Sequence, residues 1–137
     1  MKKVVIPGLI IGVLILIVSM AINYLMNLVL PSLQAEYQGS GMFRPWSDPL
    51  MQIYFAYPFI VGLVLAWLWD KVKGLLSGGM WSKVLQLTWG YFLVATLPGM
   101  FITYSSFNIS LGMVLSWTVM GVINVIIAGL VLSKMNA

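Results

Sequence analysis

Four long apolar stretches separated by three polar ones organise the chain. The first runs from Val4 to Leu30 behind Met1-Lys2-Lys3, with Pro7 in its first turn, where a missing N–H costs little. As a helix it is about 40 Å long at the usual rise per residue. The hydrocarbon core measures about 30 Å, so this span must tilt or protrude. Gly39, Gly41 and Pro45 among polar residues predict a loop over 31–47. The second span is expected over 49–69, with Asp48 as N-cap and Pro49 at the first helical position. It ends at Asp70-Lys71-Val72-Lys73, and Ser77-Gly78-Gly79 centre the next loop. A third span over 84–104, a short turn over 105–110 and a fourth span over 111–133, stopped by Lys134, complete the pattern.

The expected fold is therefore all-α, an integral membrane bundle of four transmembrane helices (about 4–30, 49–69, 84–104 and 111–133) forming one polytopic domain over 1–137. Composition agrees. The chain is 61% hydrophobic and 7% charged, against about 45–50% apolar and about 25% charged in soluble domains. That excludes a soluble multidomain enzyme, a disordered chain and a nucleic-acid binder. Spans two and three each hold a proline, Pro58 and Pro98, but their surroundings do not align, so no internal repeat is supported.

Charge sets the expected orientation. Of seven basic residues, Lys2, Lys3, Lys71, Lys73, Lys83 and Lys134 fall on one side and only Arg44 on the other, beside Glu36 and Asp48. The positive-inside rule then places both termini in the cytoplasm, in the inner membrane of a prokaryotic cell. The aromatic residues follow: Trp46, Tyr54, Tyr57, Tyr104 and Phe107 at the outer interface, and Trp67, Trp69, Trp81 and Trp89 at the inner one. Lys2, Lys3 and the Ser19-Met20-Ala21 sequence resemble a cleavable signal; the segment is read instead as an uncleaved first helix.

Candidate chemistry is sparse. There is no cysteine and no histidine, which removes thiol chemistry and the commonest metal ligand and general base. No Asp, Glu, Lys or Arg lies between the ends of any span. Proton-coupled transport, which relies on intramembrane ionisable groups, is thereby disfavoured. The ten methionines show no M-x-M or M-x-x-M cluster, so flexible packing is preferred to copper binding. The sequon Asn108-Ile109-Ser110 sits in a turn too close to the membrane to be used. No metal, no cofactor and no catalytic activity are expected.

Two groups of polar residues remain. Asn124 lies about 15 Å along its helix from Lys134, and an amide at that depth needs partners inside the protein. It either lines a substrate cavity or joins helices, to Thr96 or Thr88, and the second reading is preferred. Small-xxx-small pairs occur at Gly8/Gly12, Gly62/Ala66, Ala95/Gly99 and Gly112/Ser116. They serve helix packing within the bundle or association with another subunit. On the outer side, Asn23, Asn27, Arg44, Trp46, Asp48, Gln52, Tyr54, Tyr57 and Tyr104 form a candidate site for a lipid headgroup, a quinone head or a partner protein. The preferred reading of Arg44–Asp48 is a rigid re-entrant turn, in which Asp48 caps the second span and Trp46 anchors at the headgroups.

The stretches Phe43-Arg44-Pro45-Trp46-Ser47-Asp48-Pro49-Leu50 and Leu97-Pro98-Gly99-Met100-Phe101 resemble those of small uncharacterised prokaryotic four-helix integral membrane proteins. That resemblance implies a fold and no activity. The expected function is non-catalytic: an accessory or assembly subunit of a larger membrane complex, with lipid and other membrane subunits or a second copy as partners. The alternative is a binder or carrier of an amphipathic lipid or quinone at the outer aromatic and amide cluster.

Overall fold

The computed structural model describes residues 2–137. Helix α1 covers Lys2–Val29 and ends two residues before Pro31, whose ring pushes Leu30 out of the helical region (φ −130°, ψ 65°). The expected loop over 31–47 is only partly a loop. Pro31 opens a second helix, α2 (Pro31–Gly39), because its fixed φ suits the first helical position and Leu33, Gln34, Ala35 and Glu36 all favour helix. Gly41, at φ +64°, then turns the chain in a conformation that a residue with a side chain rarely adopts.

The second span begins at Pro49, as the cap predicts, but its first turns are a 3-10 helix, Pro49–Ala56. It continues as α3 (Tyr57–Val72). The third starts earlier than expected, with α4 (Met80–Tyr91) opening at Gly79. It passes through a π turn at Phe92–Thr96 into α5 (Leu97–Ser106). Pro98 offers no N–H to the preceding turn, and a local π adjustment is one way for a membrane helix to absorb that loss. Helix α6 (Leu111–Met135) is capped by Ser110, whose side chain accepts from the Met113 N–H. The four segments Lys2–Val29, Pro49–Val72, Met80–Ser106 and Leu111–Met135 are each long and apolar enough to cross a membrane.

Helices α1 and α3 meet most closely. A Cβ on Gly62 would run into the Gly8 carbonyl oxygen and lie 2.8 Å from the Gly12 nitrogen. One on Gly12 would lie 2.8 Å from Phe59 Cα. Where lipid replaces water, such backbone approach supplies the dispersion contact that holds helices together. Around this crossing Ile11, Ile15, Leu65, Ala66, Trp69, Leu87, Val125, Ala128 and Leu132 form the main core, with residues from all four spans.

That core occupies only one half of the molecule, the half bearing the lysines. From Leu16 through Tyr57 no residue is buried, and none is buried between Trp89 and Asn108. The opposite half holds a smaller cluster, Ile109, Met113 and Val114, covered by Leu33, Tyr37, Met100 and Trp117.

Candidate functional site

At the turn before the second span the sequence places an acid, a base and aromatic rings within a few residues, and the fold draws them into one strip. Asp48 caps the 3-10 segment, its Oδ1 accepting from the Leu50 N–H at 2.9 Å. Its Oδ2 takes a hydrogen bond from Arg44 at 2.8 Å. The Arg44 guanidinium, with the Leu50 amide, holds the Asp48 carboxyl below the usual carboxylate range. Trp46 stands edge-on to Tyr54 (centroids 5.9 Å) and tilted to Phe55 (6.2 Å). Tyr54 stacks with Tyr57 at 6.5 Å. These rings stay exposed, so the strip presents aromatic faces and one guanidinium outward.

The remaining candidate residues separate from this strip. Asn23 is engaged elsewhere, accepting from Gln34 Nε2 at 2.9 Å and so tying α1 to α2. Among the described residues, Asn27, Gln52 and Tyr104 make no side-chain hydrogen bond, and Tyr104 has no ring partner.

Beside the strip lies a second arrangement that the sequence did not reveal. Glu36, on α2, receives hydrogen bonds from the Ser110 N–H (2.8 Å) and hydroxyl (2.6 Å). A carboxylate is thus placed at the start of α6, where the helix dipole favours negative charge. Two turns further along α6, Trp117 Nε1–H donates to the Tyr37 hydroxyl, and Phe43 packs on both rings at 4.7 and 6.2 Å. Burial pushes the Tyr37 hydroxyl pKa up. Helix α2 therefore clamps the N-terminal end of α6. Pro31 followed by helix formers announces α2, but the partners of Glu36 and Tyr37 are set by tertiary packing.

A third arrangement sits at the lysine-bearing end. Asn136 is buried at 4% exposure. Its carbonyl accepts from Trp69 Nε1 at 2.8 Å and its Oδ1 from Lys73 at 2.6 Å. Its Nδ2 donates to the Lys3 carbonyl and to Asp70, each at 3.2 Å. One residue thus clasps the starts or ends of α1, α3 and α6 together, which puts both ends of the chain on the same side of the bundle.

Asn124 departs from expectation. It is 6% exposed, yet its Oδ1 has no hydrogen-bond partner among the described residues. The Thr88 hydroxyl turns to its own helix, donating to the Val84 carbonyl at 2.8 Å. Thr96 lies beside Gly121 instead. The small pairs divide likewise. Gly62 and Ala66 are packed inside as the pattern suggests, but Ala95 is exposed and Gly99 has open space where a side chain would stand. The π turn inserts an extra residue into the helical repeat. Faces before and after it therefore no longer align, and Thr96 rather than Ala95 or Gly99 meets α6.

Comparison with family models, with curated proteins and with solved structures finds no match to this chain. The functional reading rests on its own residues.

Proposed function

We propose that this multi-pass membrane protein is non-catalytic and works by association, as an accessory or assembly subunit of a larger membrane complex. One observation carries the reading: the half away from the lysines has only a small core at the start of α6, and no residue is buried from Leu16 through Tyr57 or from Trp89 to Asn108. The third span is the least covered, with 11% of its most apolar window buried against 22–28% in the others. Gly90 and Gly99 on that span leave room for a close neighbour, since a Cβ on either would meet nothing within 4 Å. Small residues on an exposed membrane helix let a second helix approach closely. The lysine-bearing end faces the cytoplasm in this reading, by the positive-inside rule, in a prokaryotic inner membrane.

A second reading rests on the exposed strip of Trp46, Tyr54 and Tyr57 beside Arg44. Flat rings next to a cation suit the head of an amphipathic lipid or quinone at the outer interface.

Purification from native membranes in mild detergent separates the two. A membrane subunit that co-purifies in fixed stoichiometry, and is lost on Gly99→Leu, supports association. A retained lipid or pigment without such a subunit supports the second reading and overturns the first. A reporter fused after Lys134 tests the orientation. It should be active only in the cytoplasm, and extracytoplasmic activity would reverse the assignment.

A further inference from the structure

The lysine-bearing end holds a cavity of about 190 Å³ between three spans, lined by Trp69 of α3, Met80 and Lys83 of α4, Ser133 of α6, and Gly78 and Ala137. A water molecule takes about 30 Å³ of liquid, so the space admits a group of phosphate size. Its walls combine an indole and a thioether with one ammonium group. That combination suits an amphipathic anion better than a free metal or a cation.

Lys83 is distinguished from the other lysines near it. Lys73 is consumed by Asn136 at 2.6 Å and by Asp70 at 3.5 Å. Lys83 takes part in neither of the two ion pairs among the described residues. The rim beside it is fixed. The Ser77 carbonyl accepts from Ser82 Oγ at 2.9 Å and from Gln86 Nε2 at 2.8 Å. Gly78 holds φ +88°, and a Cβ there would lie 2.8 Å from Ser82 Oγ. Lys2, Lys3, Lys71 and Lys134 stand at the same end of the chain's spans and add attraction for anions. Basic pockets between membrane helices at this depth are where anionic headgroups dock.

We propose that this cavity binds the phosphodiester of an anionic phospholipid. Lys83 donates to the phosphate oxygens, and the exposed Met80 packs against the glycerol and the start of the acyl chains, with the buried Trp69 as the floor of the cavity. The site is independent of the association reading above. It lies at the packed end, and its occupancy needs no partner protein.

The test uses the full chain purified in neutral detergent at about 0.15 M salt, where diffuse surface attraction is screened beyond about 8 Å. Phosphatidylglycerol, phosphatidylcholine and inorganic phosphate are added in turn, with bound lipid counted by native mass spectrometry and the melting temperature recorded. Phosphatidylglycerol should bind and raise the melting temperature, whereas phosphatidylcholine and inorganic phosphate should not. Lys83→Gln should weaken phosphatidylglycerol binding about tenfold or more, the loss of a charge-assisted hydrogen bond. Lys83→Arg should keep it, and exposed Lys71→Gln should change it less than about twofold. Equal losses in Lys83→Gln and Lys71→Gln, or none in either, would overturn the site. Equal protection by inorganic phosphate would overturn its assignment to a lipid.

Discussion

The two ends of this molecule are built on different principles. At the lysine-bearing end, glycine-mediated contact between α1 and α3, a core drawn from all four spans and the Asn136 clasp act together. At the opposite end α6 is held by α2 through Glu36 and Tyr37, while the C-terminal halves of α1 and of the third span carry no buried residue. In a bilayer, apolar exposure has no hydrophobic penalty, so packing is spent only where small residues or polar partners make it favourable. The contrast teaches where rigidity ends and where an external surface begins.

Glycine substitution should break the comparison most sharply. Gly62→Leu drives a side chain into the backbone of α1 and should cost about 3 kcal/mol or more, or prevent folding. Gly99→Leu meets open space and should change stability by no more than about 0.5 kcal/mol. Denaturation in detergent checks both, and similar losses would erase the distinction between the ends.

The polar clamps come next. Asn136→Ala removes the links to Lys73, Asp70 and the Lys3 carbonyl and should cost about 1–2 kcal/mol. Glu36→Gln keeps an acceptor for Ser110 and should cost about 1 kcal/mol or less. A larger loss at Glu36 than at Asn136 would make the Glu36 clamp the stronger one.

Asn124→Leu sharpens the picture in the opposite direction. An unpartnered carbonyl oxygen in a membrane core is a cost, so the variant should be as stable as the natural chain or more so. A marked destabilisation would reveal a partner for that oxygen.

The smallest effect belongs to the exposed Arg44–Asp48 turn. Asp48→Asn keeps a capping oxygen and should melt near the parent temperature. The carboxyl's pKa is lowered by Arg44 and the Leu50 amide, so its contribution is present above the unfolded-state pKa. It is lost as pH falls through the lower folded-state pKa. Acid titration of Asp48→Asn should therefore show a slightly smaller loss than that of the natural chain.

The sequence announces some of this and hides the rest, for physical reasons. The four spans are legible because hydropathy over a bilayer's thickness is a local property of the chain. The Asp48 cap is legible because donor and acceptor lie two residues apart. The clamps are not, because Glu36 and Ser110 are separated by 74 positions and Asn136 and Lys3 by 133. Their pairing depends on how helices cross. Ala95 and Gly99 mislead for a related reason: the π turn rotates a face that the motif alone treats as continuous.

The most direct test of the two-ended account uses the chain's lack of cysteine, which allows spin labels at introduced cysteines without background. Lys71 and Lys134 report on the packed end, and Tyr24 and Tyr104 on the open one. Electron–electron distance measurement on the purified chain should give a narrow distribution for the first pair and a clearly broader one for the second, because elements with few buried contacts move more. Equally narrow distributions at both ends would contradict the account.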